Sequence, residues 1–326
     1  MLYDLFLEVM VMKVKENLPE DWENAEISIR TVEKINHQRS GIHFDRPDKR
    51  CNPTVYMEEF YEKYQQGADL DELMDEIYFA LEETEMQSFE AVSSELLINN
   101  DDNILFELVN TKSNESLLKE RPHREFQDLS IIYYWIVSKD QHDIATVPVT
   151  NSICELIGMT EERLYKLAKE NMKQMFPPIV KPMAQVMGEL VSGIPGAQMD
   201  FSALEEECPL YVFSNDVRNL GAVVMLYPEV IHEVAEEIGE DLYLLPSSRH
   251  EIIGIPKGTK ALEELVDMVS EVNTELLNIE EILSFQVYQY DRAAREVTMA
   301  TNEPQRSFRQ EKIKGNELEG KERSTR

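Results

Sequence analysis

The densest gathering of chemistry-bearing side chains is Leu245-Pro246-Ser247-Ser248-Arg249-His250-Glu251, with two hydroxyls, a guanidinium, an imidazole and a carboxylate in succession between two apolar segments. Nucleophilic chemistry here requires the Ser247 or Ser248 hydroxyl within hydrogen-bond reach of His250, and a carboxylate to orient the ring. In an extended strand Ser248 and His250 share a face with Cα atoms roughly 6.5 Å apart, side by side, and Glu251 faces away. A hydrolase-like pocket around Ser247, Ser248, Arg249, His250 and Glu251 therefore needs completing groups from elsewhere, and Asn215 and Asp216 are the candidates. A G-x-S-x-G elbow, which presents a serine on a strained strand-to-helix turn, occurs nowhere in the chain. Two structural readings explain the same residues. Pro246 suits the second position of a tight turn, making the segment a hairpin loop between Leu242–Leu245 and Glu251–Ile255. Alternatively, Ser248 and Glu251 have the spacing of a helix capping box.

Other motifs are weaker. His232-Glu233-Val234-Ala235-Glu236 has the form of the helical zinc-protease pattern with Glu236 where the second histidine belongs, so His232 reads as a solvated residue on an acidic helix. His37, His43, His123 and His142 have no ligand partners at recognisable spacing, and Cys51, Cys154 and Cys208 form no C-x-x-C pair, so neither a metal site nor a disulfide framework is expected. Lys257-Gly258-Thr259-Lys260 lacks the full phosphate-loop run and reads as a helix entry. Asn99–Asn103 lacks the glycine and distal glutamate of a calcium loop and reads as a turn. No cofactor is expected.

The elements that must carry these residues follow from periodicity. Leu2, Leu5, Phe6, Val9 and Met12 predict an amphipathic helix over residues 2–16, ended by Leu18-Pro19-Glu20-Asp21. Ala25–Val32 and Ser40–Phe44 read as strands joined through Glu33–Arg39. A helical pair, Pro53–Gln65 closed by Gly67 and then Asp69–Leu81, follows. Ile104–Val109 and the Ile, Tyr and Trp run Leu129–Val137 predict strands, the latter paired with Ile144–Val149. Thr150 or Asn151 and then Thr160 are set as helix caps, the second helix running to Met175 before Pro177-Pro178, and Pro195-Gly196 marks a further break. In the last third, strands Leu210–Phe213, Ala222–Tyr227, Leu242–Leu245, Glu251–Ile255, Phe285–Tyr290 and Val297–Ala300 interleave with helices Glu229–Ile238 and Lys260–Leu277. A hairpin across Asn215–Leu220 makes a mixed or mostly antiparallel sheet more plausible than a doubly wound parallel one, and the fold class is α+β with flanking amphipathic helices.

The organisation expected is an N-terminal region 1–127, with the polar stretch Lys119–Gln127 as boundary, a C-terminal region 128–301 that packs alone or with the first as one body, and a disordered tail 302–326. The chain carries 63 acidic against 32 basic residues, a net −31, and residues 1–301 alone reach −33. Such a balance argues against direct nucleic-acid or membrane binding and suits a basic protein partner or a polar ligand. The acidic faces, such as Asp69-Leu70-Asp71-Glu72 and Glu205-Glu206-Glu207, read as solvated surface or as an imitation of a nucleic-acid backbone. Acids where a signal peptide carries basic residues, and no apolar run near the ~18 residues that span a bilayer, point to a cytoplasmic protein.

Asn215, the run Gly221-Ala222-Val223-Val224-Met225-Leu226-Tyr227-Pro228, the segment Leu245–Glu251 and the helix holding Met268-Val269-Ser270-Glu271-Val272-Asn273 together resemble a family of bacterial proteins, a domain of unknown function common in anaerobic gut Gram-positive bacteria. Asn52-Pro53-Thr54-Val55-Tyr56 to Gly67 and Asn99-Asn100-Asp101-Asp102 extend the resemblance over most of residues 1–300, leaving the tail outside. It implies a bacterial, cytoplasmic protein and carries over no catalytic residue. Three readings of function stand at this point: a non-enzymatic acidic binding or regulatory protein, the hydrolase-like enzyme, and a nucleic-acid mimic that occupies a basic protein.

Overall fold

The computed structural model describes residues 1–18, 22–47, 52–86, 101–139, 144–193, 201, 209–302 and 308. The expectations for Pro19–Asp21, Cys51, Asn99-Asn100, His142, Pro195-Gly196, Glu205–Glu207, Cys208 and the tail beyond Asn302 other than Phe308 lie outside these residues. The chain divides into two compact units, Met1–Leu97 and Ile98–Arg326. Both combine helices with antiparallel sheets, so the fold class is α+β.

In the first unit, α1 (Tyr3–Glu16) buries Phe6, Met10 and Val14 at helical spacing, together with Leu7. These side chains pack with Ile42 and Phe44 of the sheet, Met57, and the Leu73 and Ile77 stripe of a later helix. Strands β1 (Glu26–Lys34) and β2 (His37–Asp45) pair along their whole length. The expected connection Glu33–Arg39 shrinks to the turn Ile35-Asn36, where Asn36 takes φ 65°, a region asparagine tolerates. The expected helix from Pro53 instead starts at Glu58. Thr54-Val55-Tyr56 form β3 against Gly41–His43, because β-branched and aromatic residues at an open sheet edge gain more from pairing than from a helix turn. Helices α2 (Glu58–Gln65) and α3 (Leu70–Met86) complete the unit, separated by Gly67 at φ 103°.

The second unit holds two sheets. In the smaller one, the long strand β6 (Leu129–Lys139) is lined on one edge by β4 (Ile104–Asn110) and on the other by β5 (His123–Phe126) and β7 (Ile144–Pro148) in tandem. The polar stretch Lys119–Gln127 is therefore inside this unit: it holds the end of α4 (Glu115–Glu120), all of β5, and the first residue of the tight turn Gln127-Asp128. Next come α5 (Asn151–Ile157) and α6 (Glu161–Met175), capped by the Thr150 and Thr160 hydroxyls as their spacing predicts.

The larger sheet is antiparallel throughout, in the order β13-β12-β10-β11-β9-β8. Its strands are β8 (Pro178–Pro182), β9 (Tyr211–Asn215), β10 (Leu242–Ser248), β11 (Glu251–Pro256), β12 (Tyr288–Asp291) and β13 (Glu296–Met299). Helix α7 (Met183–Ser192) follows β8, α8 (Pro228–Ile238) precedes β10, and α9 (Leu262–Glu271) packs Leu265 and Val269 against Leu245, Ile255 and Val287. One predicted strand is corrected. The expected strand Ala222–Tyr227 gives way to a buried 3-10 helix over Gly221–Leu226, and β9 pairs with β8 and β11 in place of a hairpin across Asn215–Leu220. A short, wholly apolar run reports burial on every side and does not distinguish strand from helix.

Candidate functional site

The segment Leu245–Glu251 spans a hairpin: β10 ends at Ser248, β11 begins at Glu251, and Arg249-His250 form the turn. Pro246 is not in the turn. It pairs with Ile252 beside a register irregularity, the setting in which a residue without an N–H is accommodated. The Ser248 hydroxyl accepts from the His250 backbone N–H at 3.0 Å, closing the turn, so no helical capping box forms here. Ser247 donates to the Glu251 carboxylate at 3.3 Å.

His250 is held by its surroundings rather than by a hydroxyl. Its Nδ1 accepts from the Leu220 N–H at 3.2 Å, and its carbonyl accepts from the Ser214 hydroxyl at 2.8 Å. Burial, with the neighbouring Arg249 charge, pushes the imidazole below its ordinary value and keeps it neutral, as accepting at Nδ1 requires. Among the described residues neither ring nitrogen bonds a hydroxyl or a carboxylate. Asn215 is buried and closes its own loop, its amide donating to the Asn219 carbonyl at 2.6 Å and accepting from the Asn219 N–H at 3.2 Å, while Asp216 is exposed. The structure thus brings Ser214 and the His250 carbonyl against Gly221, uses Asn215 and Ser248 to close the two adjoining loops, and does not place Ser247 or Ser248 against the His250 ring.

Arg249 leads elsewhere. Its Nη2 donates at 2.6 Å to Glu107 of β4, whose other oxygen accepts from the Tyr134 hydroxyl at 3.4 Å. Arg121 in turn donates to that hydroxyl at 3.2 Å. Glu107 is almost completely buried, and burial pushes its carboxyl above the ordinary range while Arg249 and then Arg121 work against the rise. Nearby, the turn residue Asp128 accepts from the Ser284 hydroxyl at 2.7 Å and from Tyr288 of β12. These two carboxylates tie the smaller sheet to the larger one.

Arg121 also reaches a surface that no sequence motif marks. An open groove of about 750 Å3 runs between the α4–β5 segment and the α5–α6 segment, within the ~300–1,000 Å3 of small-molecule sites. Its apolar lining is Leu118, Cys154 and Met159; one wall carries Lys119, Arg121 and His123, the other Glu155 and Glu161. The local fold explains each placement. Arg121 is the residue at which α4 ends, and the Asn151 amide ties α5 to α4 through the Lys119 carbonyl at 3.0 Å. Gly158, at φ 67°, ends α5 so that Met159 and Thr160 can turn into α6. His123 Nδ1 lies 3.0 Å from the Arg121 carbonyl and must carry the hydrogen, leaving Nε2 as the open nitrogen.

The charges on the two walls are not equally available. Arg124 forks onto Glu161 at 3.0 and 2.9 Å, reaches Glu162 at 2.6 Å and stacks on Tyr165 at 4.0 Å, and Tyr133 also donates to Glu161. Burial opposes ionisation of Glu161, but the Arg124 and Tyr133 bonds outweigh it and hold the carboxyl below its usual range. Burial raises the Cys154 thiol, which makes it a packing group of the lining rather than an activated nucleophile.

The remaining motifs stay apart from this groove. His232 is not solvated: it lies edge-on to Tyr290 at 6.2 Å, with Glu236 3.9 Å away. Asp101–Asn103 form a 3-10 turn, and Gly258 enters its turn through an N–H bond to Glu240. Among the described residues no three His, Cys, Asp or Glu side chains are placed to share a metal ion, and no helix is long and apolar enough to cross a membrane.

Compared with known proteins, residues 3–292 match the sequence model of a family of unknown function, DUF5688. No curated protein and no solved structure matches the chain.

Proposed function

Because the chain belongs to DUF5688, a family that supplies no activity to carry over, we propose from the geometry that it is a non-enzymatic binding protein of the bacterial cytoplasm that takes a small polar ligand in the groove between α4–β5 and α5–α6. One observation carries this reading. The segment richest in chemistry, Ser247–Glu251, spends its hydroxyls and imidazole on its own hairpin and on the Leu220 backbone, whereas the groove combines an apolar lining with polar groups on both walls. An apolar floor beneath converging polar groups supports a ligand-binding reading.

A thermal-shift screen of small carboxylates, phosphates, sugars and amines tests the reading. A ligand present at a hundredfold excess over Kd stabilises the fold by about 2.7 kcal/mol, a readily measured rise in Tm. We expect at least one class to raise Tm in the wild type and to lose that effect in Glu155→Trp, which fills the groove from an exposed position. Stabilisers that act equally on Glu155→Trp would place binding elsewhere. Capture of a basic protein unaffected by Glu155→Trp would turn attention to the acidic exterior.

A further inference from the structure

Resting on the groove reading, we infer that the group the groove recognises is anionic, a carboxylate or phosphate of a small solute, held against the Arg121 guanidinium with Lys119 beside it. Arg121 and Arg249 have one carboxylate between them, Glu107: Arg249 donates to it directly at 2.6 Å, and Arg121 touches it only through the Tyr134 hydroxyl, at 3.2 Å and then 3.4 Å. With Glu107 ionised this cluster still carries one excess positive charge. Arg121 has no carboxylate within ion-pair distance among the described residues; its Nη1 donates to the Tyr134 hydroxyl, its guanidinium lies 5.5 Å from the centre of the Tyr134 ring, and the residue lines the groove.

On the opposite wall, Glu161 is occupied by the Arg124 fork and by Tyr133. Glu155, exposed on α5, is the acid left facing the groove. A guanidinium held on one side by Tyr134 and without a carboxylate of its own suits the two oxygens of a carboxylate or phosphate, for which bidentate pairing is both stronger and more directional than a single bond. The chain carries a net −31, so its far field repels a polyanion, while a small anion inside the groove meets the local cations within a Debye length of roughly 8–10 Å. A nucleic acid or an anionic membrane is thereby disfavoured and a compact solute favoured.

Titration of the full chain with inorganic phosphate and, separately, with acetate, followed by backbone amide resonances, tests this. Saturable shifts are expected at residues 118–123 and 151–161, weakened at least tenfold in Arg121→Gln, partly restored in Arg121→Lys, and weakened two- to threefold in Lys119→Gln, whose exposed side chain can be changed without disturbing the core. Which anion saturates first identifies the headgroup class. Shifts of the same size in Arg121→Gln and Lys119→Gln, or no saturable response to either anion, would overturn the inference. Neutral sugars saturating the groove when both anions fail would leave the groove reading intact while removing its anionic specificity; silence from every compound would remove both.

Discussion

His250 shows how one residue type supports two opposite readings until its partners are known. As a base it would face a hydroxyl; here its Nδ1 accepts the Leu220 N–H in a region where Leu220 itself takes φ 55°. Replacing it with alanine leaves that N–H without a partner, and we expect His250→Ala to lose about 1–3 kcal/mol in denaturant unfolding. The pH dependence has a definite sign. Burial lowers the folded-state pKa below the ordinary 6.5, so the unfolded chain binds the extra proton, and this contribution is full above about pH 6.5 and lost as pH falls through the folded value. His250→Ala should therefore flatten that part of the acid limb and leave the groove's ligand affinity unchanged. Hydrolytic activity lost in His250→Ala at unaltered stability would restore the catalytic reading. The sequence showed that hydroxyl, ring and carboxylate were adjacent, but the direction of each side chain depends on Ser214 and Leu220, residues some 30 positions away, which local spacing cannot report.

At the scale of elements, the β10–β11 hairpin, the Thr150 and Thr160 caps and the stripe of α3 were legible, because each depends on neighbours within a few residues. β3, β8 and the Gly221–Leu226 helix were not, since each is decided by a distant partner. Gly221 is the sharpest case: a Cβ there would lie 2.3 Å from the Ser214 hydroxyl and 2.4 Å from the His250 carbonyl. Gly221→Ala should force β9 and the hairpin turn apart, at about 1–3 kcal/mol of overpacking, read as a lower unfolding midpoint without a changed m-value. A stability equal to wild type would show that this packing is looser than its geometry indicates. The groove was hidden for a related reason. Its walls come from α4, β5, α5 and α6, no two of its charged residues form a motif, and the basic run Lys119, Arg121, His123 and Arg124 reads in sequence as a polar connection.

Over the whole molecule, the excess of acid suggested a basic partner, and the structure adds a local exception, a small cationic wall within an acidic chain. Composition averages over that exception and cannot reveal it. The α+β class was legible because alternating helix and strand periodicities survive averaging, whereas β5, inside the polar stretch Lys119–Gln127, is decided by its pairing with Leu129–Ile132, which composition does not report. The most direct test of the binding reading is hydrogen–deuterium exchange with and without the strongest stabilising compound. Protection confined to residues 118–123 and 151–161, with 245–251 unchanged, is the predicted result; protection centred on 245–251 with the groove unchanged would contradict it.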